Sequence, residues 1–253
     1  MVMKTIMVDG DKGGVGKSLV TRVIADMYLH ADAAALPHPR YTVGVIDADL
    51  SNPDVCGRGG FTPQDGVALA ALASLEDAEG WAAFVDQLSD LQSRMRPEEE
   101  VRVIVSLPAQ ITHRAFGGAI PAVGDILRMF GAVPVWVLNR TRESANALAE
   151  RHRLLPEQYQ RGLAIKNLFF GSAAHFLSWE AHAIYQELVV GGAWIEGELP
   201  ELYALLSNKI GRTPFGTAYA LGTQTGPLSA GEKVMLNAWR GRCWATLSAL
   251  ERL

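Results

Sequence analysis

The sequence is poor in cysteine and holds no long apolar run. Its 253 residues include two cysteines, Cys56 and Cys243, and neither belongs to a CxxC pair. This usage predicts reduced thiols in a cytoplasm-like compartment and not a fold stapled by disulfides. No apolar run approaches the length that spans a bilayer, and the first eight residues lack the flanks of a signal peptide. We therefore expect a cytoplasmic protein without a membrane segment.

Several signatures of catalysis and of repeat architecture are also missing. The six histidines show no metal-ligand spacing on a shared helix face, and there is no Gly-x-Ser-x-Gly or Cys/His arrangement for nucleophilic catalysis. No internal repeat or low-complexity tract interrupts the chain. With 49% hydrophobic and 20% charged residues, the composition is that of an ordinary globule, and the length suits one α/β domain over 1–253.

Charge is unevenly distributed along the chain. The net charge is −4, but six basic and two acidic residues from Leu205 onward give that part +4 and leave −8 for the rest. The basic residues are Lys209, Arg212, Lys233, Arg240, Arg242 and Arg252, opposed by Glu232 and Glu251. Such a basic C-terminal part permits a patch that faces nucleic acid, with Arg240 and Arg242 as one candidate pair. A solvated helix face with scattered arginines is the alternative.

One stretch, Asp9–Ser18, has the sequence pattern of a phosphate-binding loop. It follows the β-favouring run Thr5–Val8 and precedes Leu19–Met27, where apolar residues recur at helical spacing. Glycines in such a loop let main-chain N–H groups turn toward an anion, the lysine reaches the β- and γ-phosphates, and the serine hydroxyl ligates Mg²⁺. The residues expected to bind nucleotide are Gly13, Gly14, Val15, Gly16, Lys17, Ser18 and Leu19. A glycine-rich turn with a solvated lysine is the competing interpretation.

The wording Lys-Gly-Gly-Val-Gly-Lys-Ser over 12–18 resembles the deviant Walker A box of the ParA/MinD family of P-loop ATPases. Asp11 stands at the usual first glycine of the loop. The resemblance implies ATP and Mg²⁺ as cofactors and an ATP-dependent homodimer. It also implies that Lys12 crosses the dimer interface to the partner's nucleotide. The fold it implies is three-layered and doubly wound, with a mostly parallel sheet and helices on both faces.

A second strand, Tyr41–Ile46, ends in Asp47-Ala48-Asp49. Because parallel strands end at the same edge of a sheet, we expect both aspartates beside the phosphate loop. The segment resembles switch I of the ParA/MinD family, which implies that Asp49 positions the attacking water. Asp47 would then lie nearer the metal, through a bound water. The alternative is that both acids simply end a strand.

The strand Val101–Val105 departs from the family pattern where it ends. Most P-loop ATPases have the Walker B aspartate there, which holds Mg²⁺ through water, whereas this chain has Ser106. Serine brings no negative charge, so we expect slow turnover unless Asp47 supplies the missing carboxylate. The loop that follows resembles switch II, with Gln110 and Arg114 as candidate sensors of the γ-phosphate.

A further strand, Val133–Leu138, leads into Asn139 and Arg140. This ending resembles the family segment in which asparagine reads the adenine edge; an asparagine that only turns the chain is the alternative. The pattern also predicts a fifth strand or buried run over 163–170, a short strand after 191–193, and a loop over 211–227. Helices are predicted at 67–75, 81–95, 120–130, 141–155, 176–190 and 201–208, and a last one after the capping box Ser229–Glu232.

Three functions remain open at this point. The first is an ATP-driven dimerising switch that acts in partition, stability or transfer of DNA together with a partner protein. The second is a metabolic relative resembling dethiobiotin synthase, for which we identify no substrate pocket. The third is a nucleotide-gated DNA- or protein-binding module with little hydrolysis, for which Ser106 is the reason.

Overall fold

The computed structural model describes residues 2–31, 41–109 and 120–253, and within them seven strands form one sheet. The strands are β1 Val2–Asp9, β2 Thr42–Asp47, β3 Leu69–Leu72, β4 Glu100–Ser106, β5 Ala132–Leu138, β6 Gly162–Asn167 and β7 Trp194–Leu199. Their order is β3-β2-β4-β1-β5-β6-β7, and every pair is parallel. The predicted parallel α/β fold is confirmed.

Helices cover both faces of the sheet. They are α1 Lys17–His30, α2 Ala78–Ser93, α3 Ile120–Met129, α4 Arg142–Leu154, α5 Leu177–Glu180, α6 Ala183–Tyr185, α7 Ala204–Ile210, α8 Phe215–Ala220 and α9 Ala230–Leu247. Helices α1, α7, α8 and α9 contribute buried side chains to one face, and α2 to α6 contribute to the other. On β1, Ile6 and Val8 point into the first core and Met7 into the second, as the two-residue period of a strand requires.

Two predicted helices are wrong. The run 67–75 is rich in alanine and leucine, which favour helix, yet Leu69–Leu72 is the edge strand β3, paired in parallel with β2. Here strand pairing outweighs local propensity. The predicted helix 176–190 is broken into α5, α6 and a π-helical turn, Gln186–Val190. The break falls at His182, whose Nδ1 accepts a hydrogen bond from the main-chain N–H of Ile184 and so starts a new turn.

The predicted loop over 211–227 contains α8. Phe215 and Ala218, three residues apart, are both fully buried in the core beside α1. Burial of this one face therefore overcomes a composition rich in glycine, threonine and proline. The remaining predicted helices and strands agree with the structure to within a few residues at their ends.

The last helix, α9, confirms its predicted cap and buries one apolar stripe. Ser229 and Glu232 form the capping box. The fully buried apolar stripe consists of Leu236, Trp239, Cys243, Leu247 and, just beyond the helix, Leu250.

Arg240 was predicted to flank that stripe at the surface, and this is wrong. Its guanidinium is buried and forms a bidentate ion pair with Asp26 of α1, with Nε–Oδ2 and Nη2–Oδ1 distances of 2.8 and 2.9 Å. The arginine is buried because it pairs with a carboxylate on the facing helix α1. The sequence of α9 alone contains no sign of that partner. Arg242, two residues on, is exposed.

Strand β1 lies at the centre of the sheet, with β4 on one side and β5 on the other. The chain therefore changes direction across the sheet next to β1. Ligands of open parallel sheets bind outside the carboxyl ends of the strands at such a point. The segment that follows β1 is the predicted phosphate loop.

Candidate functional site

The phosphate loop joins β1 directly to α1. Gly16 is the N-cap residue of α1 with φ of 104°, in the left-handed region, and Gly14 has φ of 78°. A Cβ at Gly16 would lie 2.5 Å from the side-chain nitrogen of Asn167, so both backbone conformation and space require glycine there. Asn167, at the end of β6, also donates from Nδ2 to the carbonyl of Val15 at 2.9 Å. Asn167 was not predicted from the sequence. It supports the phosphate loop through this hydrogen bond.

The side chain of Lys17 folds back across the loop. Its Nζ donates to the main-chain carbonyl of Lys12 at 2.9 Å. The pKa of Lys17 is lowered by burial, and the nearby carboxylates of Asp9, Asp49 and Asp11 oppose that shift. A glycine turn that excludes Cβ atoms, a helix N-terminus and an inward lysine together fit the polyphosphate of a nucleotide. The site is thus built for an anion, although it is itself rich in carboxylates.

The two aspartates after β2 lie at the same edge of the sheet, as predicted, and have different surroundings. Asp47 is fully buried, and its carboxylate accepts hydrogen bonds from the main-chain N–H groups of Asp49 at 3.2 Å, Val55 at 2.7 Å and Cys56 at 3.4 Å. Burial raises the pKa of Asp47, and these N–H groups act against the rise. Its carboxylate therefore shapes the loop 49–56, and its role toward a metal stays a prediction.

Asp49 is half-buried and belongs to the same loop. Its Oδ1 accepts from the Ser51 hydroxyl at 2.6 Å and from the main-chain N–H of Asn52 at 3.2 Å. It is also one of the carboxylates whose charge acts on the Lys17 ammonium. Asp49 therefore lies close to the phosphate loop. Its role in positioning a water molecule remains a prediction.

Ser106, the residue at the Walker B position, is buried at the end of β4. It pairs in register with Asp47, and its main-chain carbonyl accepts from the N–H of Ala48 at 2.9 Å. The serine and the aspartate are thus neighbours across two strands, as the sequence argument required. The switch II candidates Gln110 and Arg114 lie outside the described residues.

Asn139, predicted to read adenine, is engaged within the protein. Its Nδ2 lies 3.1 and 3.2 Å from the two carboxylate oxygens of Asp11, and its Oδ1 accepts from the main-chain N–H of Thr141 at 2.7 Å. Asp11, the residue in place of a loop glycine, therefore ties the phosphate loop to the end of β5. Arg140 is exposed beside it. Contacts of Asn139 and Arg140 with a base stay predictions.

Lys12, Gly13 and Gly14 are exposed at the top of the loop, whereas Ser18 and Leu19 are half-buried. Local hydrogen bonds lower the pKa of Glu143 on α4, and the positive charge of the nearby Lys12 lowers it further. The intermolecular role of Lys12 stays a prediction.

Beneath the loop lies a buried ionic cluster that sequence reasoning missed. Asp9, the last residue of β1, accepts from Arg151 Nε at 2.8 Å and from the Tyr159 hydroxyl at 3.3 Å. All three side chains are buried. One signal was present: Arg151 falls on the same face of α4 as Leu148 and Ala145, where a solvated arginine is not expected.

The part of the chain that the structure describes holds neither a metal-binding cluster nor a helix able to cross a membrane. No group of three or more histidine, cysteine, aspartate or glutamate side chains is arranged to hold a metal ion. Among the described helices, none combines the length and apolar character that a membrane crossing needs.

Comparison with known proteins gives one similar sequence and several similar folds. No protein-family model matches the chain. It is 26% identical over 177 residues to Protein MobD of Acidithiobacillus ferrooxidans, covering 70% of this chain and 68% of that protein. It resembles the MinD cell division protein of Aquifex aeolicus with a TM-score of 0.53 and 18% identity, over 99% of this chain and 98% of that one.

Two other structures are more distant. Apo McdA of Cyanthece has a TM-score of 0.45 and 13% identity, over 97% of this chain and 98% of that one. Chloroplast FtsY of Physcomitrella patens has a TM-score of 0.46 and 11% identity, over 73% of this chain but 56% of that one. The match to MinD over nearly the whole length confirms, at the level of fold, the resemblance to ParA/MinD-type P-loop ATPases.

Proposed function

We propose that the chain is a Mg²⁺-dependent ATPase of the ParA/MinD type, in which ATP switches a monomer to a homodimer that acts in partition, stability or transfer of DNA. The observation that supports nucleotide binding is the loop itself. Gly16 in the left-handed conformation opens α1, and the Lys17 ammonium lies across the turn. We further propose that residues 1–253 form one nucleotide-binding domain and that it works in the cytoplasm.

In this proposal the loop residues divide the work on the nucleotide. The main chain of Gly13, Gly14, Val15 and Gly16, with the N-terminus of α1 continuing through Leu19, binds the phosphates, and Lys17 neutralises their charge. Magnesium, when bound, withdraws charge from the phosphates. Ser18, through its hydroxyl, and Asp47, through a water molecule, would be the residues that hold the metal. For that task Asp47 would exchange one of its main-chain hydrogen bonds.

Asp49 positions the attacking water in this proposal. Its place in the 49–56 loop, close to Lys17, supports the assignment. The variant Asp49→Ala should bind ATP with the parental affinity and release phosphate about 100-fold more slowly. Release at the parental rate would show that another group positions the water.

Lys12 makes the switch depend on a second copy of the chain. Its exposure at the top of the loop supports a contact with a partner's nucleotide. The variant Lys12→Ala should bind ATP as a monomer and fail to dimerise, which light scattering with ATP and with ADP would measure. A normal ATP-dependent dimer in this variant would remove the cross-interface role.

Base recognition by Asn139 requires a change of partner. Its amide now holds Asp11 and the N–H of Thr141, so contact with adenine requires at least one of these bonds to open. Arg140, exposed next to it, is the second contact in this proposal. Replacing Asn139 by Ala should therefore reduce preference for ATP over GTP more than it reduces total affinity.

DNA contact in this proposal depends on the basic side chains that keep access to solvent, because three of the six in the C-terminal part have carboxylate partners. Arg240 pairs with Asp26, Lys209 with Glu232 at 2.8 Å and Arg212 with Asp54 at 2.6 Å. Arg242 is exposed, and Arg58, Lys209 and Arg212 line an open groove of about 340 Å³. These side chains support a sequence-tolerant contact with phosphates.

The deciding experiment is phosphate release and DNA binding, each with ATP and with ADP. Contacts to phosphates should weaken steeply with salt, and Arg242→Ala should flatten the slope by about one unit. Arg128→Ala, the loss of one exposed positive charge on α3, which covers the other face of the sheet, serves as the control and should leave the slope unchanged. Binding that does not respond to salt would sink the DNA assignment.

Ser106 supports a second candidate function, a nucleotide-gated binding module with little hydrolysis. Its burial beside Asp47 leaves that aspartate as the nearest substitute for the missing carboxylate. The variant Ser106→Asp separates the two functions. A gain in turnover favours the gated module, whereas a loss indicates that Asp47 already serves the metal and that two carboxylates repel each other.

A further inference from the structure

We propose that Asp9, Arg151 and Tyr159 form a positioning triad that holds the entrance of the phosphate loop in the shape that receives a nucleotide. The inference rests on the proposed nucleotide binding. It concerns residues that are not expected to touch the ligand and act through the loop.

The Asp9 carboxylate joins three separate parts of the chain. Its Oδ1 accepts from the main-chain N–H of Gly10 at 2.7 Å, which fixes the first turn of the loop. Its Oδ2 accepts from Arg151 Nε on α4 and from the hydroxyl of Tyr159, beyond that helix. One buried carboxylate thus connects the loop entrance to the layer of helices on the opposite face from α1.

The entrance turn is packed closely against the rest of the loop. A Cβ at Gly10 would lie 2.8 Å from Val15 Cγ2 and 3.1 Å from the carbonyl oxygen of Val137, with Lys17 Cγ at 3.6 Å. Movement at Asp9 and Gly10 would therefore displace Val15 and Lys17, which belong to the nucleotide cradle. Close packing of this kind transmits a small shift because interiors hold few voids.

The far side of the triad is fixed as well. The ring of Tyr159 stacks on Trp194 with centroids 6.2 Å apart, and Trp194 Nε1 donates to the Tyr159 carbonyl at 2.9 Å. Trp194 begins β7, so the tyrosine is anchored to the sheet. The triad consequently has a rigid base from which it can hold a loop.

Charge gives the triad a second effect on the loop. Asp9 is the largest of the opposite charges that act on Lys17, and Arg151 acts on the same ammonium with the opposite sign. The carboxylate of Asp9 therefore outweighs the guanidinium of Arg151 in its effect on Lys17, while within the buried pair the two opposite charges balance each other. Replacing one of them alone leaves an uncompensated buried charge, which destabilises the fold by itself.

The test uses variants that keep this balance. In Asp9→Asn/Arg151→Met both charges are removed and the asparagine keeps an oxygen for the Gly10 N–H, while Tyr159→Phe removes one hydrogen bond and keeps the stacked ring. We expect ATP to bind at least about tenfold more weakly to the double variant and about threefold more weakly to Tyr159→Phe. Equilibrium binding of ATP without turnover is the readout, with thermal unfolding measured in parallel.

A matched control lies at the other edge of the sheet. Arg102 and Glu251 form a buried ion pair at distances of 3.1 and 2.9 Å, far along the strands from the loop. Glu251→Gln should lower the melting temperature and leave ATP affinity unchanged. Arg151→Lys, which keeps the charge, should bind ATP closer to the parent than Arg151→Met does.

Outcomes separate the inference from the function on which it rests. Parental ATP affinity in both the double variant and Tyr159→Phe overturns the triad, and so does an equal loss of affinity in Glu251→Gln. If the double variant does not fold, Tyr159→Phe decides alone, and parental ATP affinity in that variant overturns the triad. Failure of the parent to bind ATP refutes the proposed function instead.

Discussion

A lysine lies near each end of strand β1, half-buried Lys4 and buried Lys17, and the protein accommodates the two charges in different ways. At the amino end, Lys4 donates to the carbonyls of Leu250 and Leu253 at 2.9 and 3.0 Å. At the carboxyl end, Lys17 donates to the carbonyl of Lys12. Burial lowers the pKa of both lysines. The difference lies in their surroundings.

At the amino edge the charges are satisfied by one another. Glu251 accepts two hydrogen bonds from Arg102, one from the Tyr28 hydroxyl and one from Tyr41. At the carboxyl edge the Lys17 ammonium bonds to a main-chain carbonyl, while three carboxylates act on it through space. The charges at the amino edge are paired within the protein, whereas the Lys17 ammonium at the carboxyl edge is available to an anionic ligand. Stability is expected to depend on the amino edge and binding on the carboxyl edge.

The sharpest test exchanges the two lysines for alanine, one at a time. Lys17→Ala should weaken ATP binding by at least about 100-fold, since it removes the charge-assisted contact to the phosphates. Lys4→Ala, a matched loss of charge at the other end of β1, should lower stability and leave ATP affinity as in the parent. Isothermal titration of each variant measures this. Equal affinities in parent and Lys17→Ala would refute the phosphate-loop assignment.

At the amino edge, Glu251→Gln should cost about 3 kcal/mol of unfolding free energy, or roughly 6–12 °C in Tm. The amide cannot compensate the buried guanidinium of Arg102. Urea unfolding gives the number, and ATP titration of the folded variant checks that affinity is unchanged. A loss below about 0.5 kcal/mol would place this pair among surface ion pairs.

Low pH should remove the difference in stability between the parent and Glu251→Gln. Burial acts to raise the pKa of Glu251, but hydrogen bonds from Arg102 and Tyr28 outweigh it and lower the pKa to about 2, from an ordinary 4.5. A carboxylate with a lowered pKa contributes its full stability above its unfolded value and loses it as pH falls toward the folded one. The stability gap between parent and Glu251→Gln should therefore be constant above pH 4.5 and shrink from there to pH 2. A gap that persists at pH 2 contradicts the assignment.

The smallest effect should come from Asp11→Ala. Its carboxylate stands in the phosphate loop and holds Asn139, so its removal lowers repulsion toward phosphates and frees the amide. ATP should bind about 2- to 5-fold more tightly. Glu99→Ala, the loss of one negative charge near the amino ends of the strands, is the control and should leave affinity unchanged. Weaker binding in Asp11→Ala would show that the tie to Asn139 supports the site.

The sequence predicted those parts of the fold and site that depend on local wording. The phosphate loop, Asp47 and Asp49 at the end of β2, and the capping box of α9 each occupy one short segment. The structure has the loop between a strand and a helix, Asp49 close to Lys17, and the cap at the start of α9, as expected. Charged pairs between distant segments were not predictable, because the sequence around one partner does not show where in the chain the other one lies. Arg240 with Asp26, and Arg151 with Asp9, are 214 and 142 residues apart in the chain.

Helix and strand were confused where tertiary contacts overrule propensity. The alanine- and leucine-rich run before Leu75 becomes a strand because β2 offers an open edge. Phe215 turns a loop-like composition into a helix because α1 offers a buried surface. Both errors concern segments whose structure is decided by a neighbour that the local sequence does not contain.

The central position of β1 bears on how the chain emerges from the ribosome. β1 pairs with β4 and β5, which begin at Glu100 and Ala132. At about 5–20 residues per second, the strand carrying the phosphate loop is synthesised several seconds before either neighbour exists. Meanwhile β2 and β3, 42–47 and 69–72, are able to pair early. The strand that leads into the phosphate loop is therefore made before both of its neighbours, and its apolar side chains have no strand partners until β4 and β5 have been synthesised.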